Sequence, residues 1–124
     1  MDALNWFEIP AKDFERAVNF YEKLLQISLH RELFGTMPNA VFPYEESGVG
    51  GAVAQVPYES SGGDGTIIYL HVATMPIFEA ALAQVEALGG SLLLPKTHIG
   101  DPGFIAIIRD TEGNRVGLNV AAGA

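Results

Sequence analysis

The chain has 124 residues, 48% of them hydrophobic, a formal net charge of −8 and no cysteine. That size predicts one domain with a core of its own, which excludes an intrinsically disordered chain. The charge argues against nucleic acid and anionic membranes as partners, and the absence of cysteine excludes disulfides, thiolate zinc sites and a cysteine nucleophile. No apolar run approaches the roughly 20 residues that cross a bilayer, and the N-terminus shows no export signal, so a cytoplasmic location is expected.

Leu4, Phe7 and Ile9, with Trp6 between them, predict a strand from Leu4 to about Pro10. Asp13 is placed to cap a helix, with Glu15 favourable in its first turn. Phe14, Ala17, Val18, Tyr21, Leu24 and Leu25 follow at helical spacing. Alternation from Ile27 to Phe34 predicts a second strand, Gly35 to Pro38 a turn, and Ala40 to Phe42 a short third strand. Glu45 to Gly51 is glycine-rich and predicts a turn before a fourth strand, Ala52 to Val56. A polar, glycine-rich linker over 58–65 then joins a first module, 1–57, to a second, 66–124.

The second module opens with an apolar strand, Thr66 to Val72. Thr74 and Pro76 mark a helix start, Phe78, Ala81, Leu82, Val85 and Leu88 its buried stripe, and Gly89 its stop. Leu92 to Leu94, Phe104 to Ile108 and Asn114 to Val120 predict three more strands, the last two joined by the turn Asp110-Thr111-Glu112-Gly113. The two modules echo one another: Phe14-Glu15-Arg16-Ala17-Val18 returns as Phe78-Glu79-Ala80-Ala81-Leu82. A chain that repeats one unit places its site on the surface both copies line. The expected fold is α+β: two tandem βαβββ modules forming a curved mixed sheet with a central cup, and helices on the convex face.

The phrase Phe7-Glu8-Ile9-Pro10 leading into FERAVNFYEKLL, the EALGG that ends the second helix, and Asp110-Thr111-Glu112-Gly113-Asn114 resemble the vicinal oxygen chelate family. That family holds glyoxalases, bleomycin-resistance proteins and extradiol dioxygenases. The resemblance runs from Leu4 to Val120, and it implies the fold without implying one activity. In the family's metal enzymes four side chains, usually His, Gln or Glu, point into the cup from the first and last strands of each module. Carried over, these positions fall on Trp6, Ile67, Gly117 and a residue within Gly51 to Gln55, where Gln55 is the polar side chain. Tryptophan, isoleucine and glycine side chains offer no lone pair to a divalent ion, whereas a catalytic site needs about three protein ligands. No metal ligand and no cofactor are therefore expected, and a divalent metal is disfavoured.

By strand alternation, Glu8 shares the cup face with Trp6, Tyr69 and His71 stand on the matching strand, and Arg115 and Asn119 flank Gly117. Trp6, Glu8, Ile67, Tyr69, His71, Arg115, Gly117 and Asn119 form the expected substrate-binding set, with an opening left by Gly117. The first functional reading is a metal-free binder of a small organic molecule, aromatic or cationic given the charge. A second is a lyase or isomerase that uses Glu8 as a base in place of metal chemistry, its carboxyl perturbed by burial. Glu8 read blandly is a structural carboxylate bonded to Tyr69 or Arg115. A third reading is a displaced metal site on Glu8 and His71, and a fourth a non-catalytic interaction or regulatory domain. The segment Thr97 to Gly103 is either a lid or an ordinary turn. The resemblance also implies a homodimer, which would cover edge strands.

Overall fold

The computed structural model describes residues 3–55, 63 and 65–124. Strand, helix and three strands follow one another twice: β1 (Trp6–Pro10), α1 (Phe14–Leu25), β2 (His30–Phe34), β3 (Met37–Val41), β4 (Gly50–Ala54), then β5 (Tyr69–Val72), α2 (Met75–Gln84), β6 (Ser91–His98), β7 (Phe104–Arg109), β8 (Arg115–Val120). Each module makes its own four-stranded sheet, in the orders β1-β4-β3-β2 and β5-β8-β7-β6. The first strand of each module runs parallel to the last, and the remaining pairs are antiparallel. This is the α+β repeat of two βαβββ units. No helix of the described residues is long and apolar enough to cross a membrane.

The helices begin where their caps put them. Asp13 is extended and its side chain accepts from the Arg16 N–H at 3.1 Å, and Thr74 does the same for Ile77 at 3.4 Å. α1 buries Ala17, Val18, Phe20, Tyr21, Leu24 and Leu25 against one face of the sheets; α2 buries Phe78 and Ala81 there. Ile9, Ala40 and Val53 join the α1 residues in this core, and Leu70, Val72 and Leu118 join those of α2. Full burial of a side chain such as Leu24 or Phe78 contributes roughly 1.5–3 kcal/mol. Ile9 and Ala11 match Leu70 and Val72 in burial, so the two first strands are in phase at the expected offset. The faces they turn away from the helices carry Trp6 and Glu8, and Tyr69 and His71.

Several elements differ from the sequence reading. β1 and β5 are shorter, starting at Trp6 and Tyr69 rather than at Leu4 and Thr66. β2 is confined to His30–Phe34 because Ile27 to Leu29 form the exit from α1, where Gln26 takes a left-handed φ of 56° and Glu22 accepts from the Leu29 N–H. β3 begins at Met37, inside the expected turn: Gly35 and Thr36 make a tight hairpin, and Pro38 sits at the end of the ladder, its carbonyl still accepting from Gln55 N at 3.0 Å. β4 begins two residues early, at Gly50, and Val56 lies outside the described residues. α2 stops at Gln84, and Gly89 closes the following turns with φ 101°. β6 extends to His98 through two irregularities in its register with β7. Of the 58–65 linker, only Gly63 and Gly65 are described; Gly63 bridges to Asn114.

The turn between β7 and β8 carries a buried polar cluster that clamps the second module onto α1. Asp110 accepts from Tyr21 Oη at 2.6 Å, from the Asn114 amide at 3.0 Å and from the backbone N–H groups of Glu112 and Asn114. Burial, with Asp110 beside it, pushes the Tyr21 phenol well above its ordinary value, so it remains a donor. Asn114 also donates to the Pro10 carbonyl at 2.8 Å. Glu112 accepts from the N–H groups of Lys12 and Asp13, from Thr111 Oγ1 and from the Arg16 guanidinium at 2.8 and 3.1 Å. Burial alone would raise its carboxyl, but Arg16, the Asp13 N–H and Thr111 hold it down to about 2. A folded value below the ordinary 4.5 means that this stabilisation is complete above that pH and disappears as pH falls toward 2. Urea midpoints measured from pH 5 down to pH 2 should lose roughly 2–3 kcal/mol through this group. Glu112→Gln should be less stable at pH 5 and flatter over the same window; an unchanged slope would remove Glu112 from the clamp.

Candidate functional site

The face opposite the helices is the one on which the expected site residues stand. The β1–β4 register places Trp6 beside Gly50 and Glu8 beside Ala52; the β5–β8 register places Tyr69 beside Gly117 and His71 beside Asn119. Glu8–Ala52 and Tyr69–Gly117 are thus equivalent pairs in the repeat. Trp6 is half-buried against Phe34 and Tyr44, at ring centroid distances of 6.1 and 6.0 Å. The Tyr44 ring lies over Gly50, where a Cβ would approach it to 2.7 Å. Ile67 is partly buried in the segment leading into β5.

The structure divides the expected residues among three neighbourhoods. Tyr69 and His71, both exposed, line a cavity of about 400 Å³ between the modules, whose other walls include Phe7, Leu25, Ile27, Phe42, Tyr44 and Val49. The same two residues line a second, more open cavity of about 400 Å³ with Asn119, Ile99, Pro102 and Ile105. Glu8 and Arg115 meet elsewhere, around a space of about 340 Å³ that also touches Thr66 and Ile68. Glu8 is exposed there, so the buried setting expected of a general base is missing. Arg115 donates to the Gly65 carbonyl at 2.7 Å. Glu8 and His71 line different cavities, which separates the two groups of the displaced-metal reading.

Gly117 does not leave an opening. The Tyr69 ring is packed onto it, so that a Cβ at 117 would overlap the ring. The repeat also assigns the remaining metal-ligand position. In β4 the residues facing away from the helices are Gly50, Ala52 and Ala54, and Ala52 is the counterpart of Gly117. Gln55 lies past the strand on the opposite alternation, its N–H spent on Pro38. The four positions are therefore Trp6, Ala52, Ile67 and Gly117, a set with no lone pair to offer, and it does not fit the family's divalent metal. Among the described residues, no three His, Asp or Glu side chains are grouped to hold an ion. His30 sits 3.7 Å from Glu32, and His98 packs on the Phe104 ring at 5.0 Å.

The hairpin between β6 and β7 is the wall over the second cavity. Its turn is closed by Ile99 N–H to the Gly103 carbonyl and Gly103 N–H to the Gly100 carbonyl, both 2.9 Å. Asn119 donates to the carbonyls of Pro102 and Phe104, at 3.1 and 3.0 Å, and so ties the hairpin to β8. Thr97 and His98 belong to β6 rather than to this turn. Phe34, Tyr44, Ile99 and Ile105 also border the site. The sequence signal for the last two is the alternation of β7 and an isoleucine inside a turn; for Tyr44 there is none, because its place is set by packing over Gly50.

A family model described as Glyoxalase/Bleomycin resistance protein/Dioxygenase superfamily matches residues 3–118, and the chain belongs to this family. A comparison with curated proteins finds no match. Among solved structures, the chain is similar to a glyoxalase/bleomycin resistance protein from Albidiferax ferrireducens T118, at 17% identity and a TM-score of 0.69, over 96% of this chain and 99% of that one. It is similar to a genomically encoded fosfomycin resistance protein from Listeria monocytogenes, at 11% identity and 0.66, over 100% and 94%. It is also similar to the E144Q mutant of glyoxalase I from Zea mays, at 20% identity and 0.66, over 94% of this chain and 46% of that one. At these identities the likeness is one of fold.

Proposed function

We propose that this chain binds a small organic molecule between its two modules, at the Tyr69–His71 edge of β5, without the divalent metal of the family's enzymes. One observation carries the reading: the ring of Tyr69 lies on Gly117, where the family's last-strand ligand would stand. Side chains with no lone pair to offer at Trp6, Ala52 and Ile67 support it, as do two cavities of about 400 Å³ that meet at Tyr69 and His71. Each falls within the roughly 300–1,000 Å³ of small-molecule sites. Tyr69 supplies a ring for stacking, His71 a donor and an acceptor, and the apolar walls most of the contact area.

Trp6 is the only tryptophan, and its neighbour Tyr44 lines the cavity between the modules. A ligand entering that cavity should shift or quench its emission. The expected result of titrating a library of flat, uncharged and cationic aromatics is a saturable change for at least one compound, weakened by Tyr69→Ala. A library that leaves Trp6 emission unmoved, with the protein folded, would contradict the reading.

A further inference from the structure

We infer that the ligand is an uncharged, elongated and largely apolar molecule, lying across the Tyr69–His71 ridge with one end in each cavity. The inference rests on the binding reading above and narrows its ligand class. The whole-chain charge of −8 points to a cation, but among the described residues that charge is not at the site. Among the described residues, no Asp, Glu, Lys or Arg lines either cavity; Glu8 and Arg115 face a separate space. An ion placed between walls of this kind would give up water without gaining a counter-charge. A neutral apolar molecule meets no such penalty and gains by covering Phe7, Ile27 and Phe42 on one side and Ile99 and Ile105 on the other.

The length follows from the shared residues. Tyr69 and His71 project from β5, an edge strand, and border both cavities. They form a ridge between two apolar hollows, and Tyr69 is 48% exposed on top of it. A molecule confined to one hollow leaves the other wet, whereas one that saddles the ridge stacks on Tyr69 and dries both. Polar side chains on the path, besides the Tyr44 and Tyr69 hydroxyls, are few: His71 at the centre, Gln26 in the cavity between the modules, and Asn119 in the other, its amide N–H groups engaged by the Pro102 and Phe104 carbonyls. The ligand class is therefore a neutral molecule with two apolar ends and one hydrogen-bonding group near its middle.

N-phenyl-1-naphthylamine is neutral, has two aryl ends and carries one central N–H. Its fluorescence can be compared with that of 8-anilinonaphthalene-1-sulfonate, an anion of similar shape, and of the cation 9-aminoacridine. The neutral probe should bind, and the two ions about tenfold or more weakly. Ala73→Trp, at an exposed position lining the cavity between the modules, should weaken the neutral probe about tenfold by filling one hollow; Ile99→Asp should do so by charging the other. Glu86→Gln, at an exposed position that lines neither cavity, should bind as the unmodified chain does. Equal or tighter binding of either ion overturns the uncharged ligand while leaving the binding reading intact. Sensitivity to only one of the two blocking variants overturns the spanning geometry. Failure of all three probes overturns this inference and the binding reading together.

Discussion

Asp110→Ala is expected to destabilise the fold by about 4 kcal/mol, the largest effect of any single truncation in the polar clamp. Its carboxylate serves four donors: Tyr21 Oη, the Asn114 amide, and the backbone N–H groups of Glu112 and Asn114. Removing the acceptor strands buried donors, each costing roughly 1–3 kcal/mol when unpaired. The turn loses its shape at the same time, and with it the hold of Glu112 on the start of α1. Tyr21→Phe is the control. It removes one donor and leaves Asp110 with its other three, so it should cost only about 1–1.5 kcal/mol. Urea unfolding followed by far-ultraviolet circular dichroism separates the two. Equal losses would mean that the tyrosine, not the carboxylate, organises the cluster.

Gly117→Glu is the second large effect, and it bears on the chemistry. It restores the residue type that the family's metal enzymes carry on the last strand. The first atom of the new side chain would overlap the Tyr69 ring, so the ring must leave its rotamer or β8 must move. Overpacking of this kind costs typically about 1–3 kcal/mol. A new carboxylate pressed against an aromatic ring adds a desolvation cost. No metal affinity should appear in return, because Trp6, Ala52 and Ile67, at the other three ligand positions, offer no lone pair. A variant as stable as the parent would mean that Tyr69 does not hold that place.

Much of the architecture was legible in the residues. Two amphipathic segments sixty-four positions apart, each with a cap and a strand before it, fixed the repeat; Asp13 and Thr74 cap as their residue types require. Alternation placed Trp6 with Glu8, and Tyr69 with His71, on the correct faces. Glycine misled twice for one reason. Gly50 reads as turn and Gly117 as an opening, yet both sit in strands and are roofed by the rings of Tyr44 and Tyr69. A local pattern cannot tell a glycine that bends the chain from one that makes room for a ring. Pro38 misled similarly, since a proline is tolerated at the end of a ladder. The grouping of Glu8 with Arg115, away from His71, depends on how the modules sit together and left no local trace.

The most direct test of the metal-free reading is metal content, by mass spectrometry on gently purified untagged protein, with thermal shifts in nickel, zinc, manganese and iron(II), the parent and Gly117→Glu side by side. We predict substoichiometric metal and no stabilising shift in either protein. A stoichiometric metal with a clear stabilising shift in the parent would contradict the account: side chains other than Trp6, Ala52, Ile67 and Gly117 would then be holding the ion, and the family's metal chemistry would return as the function.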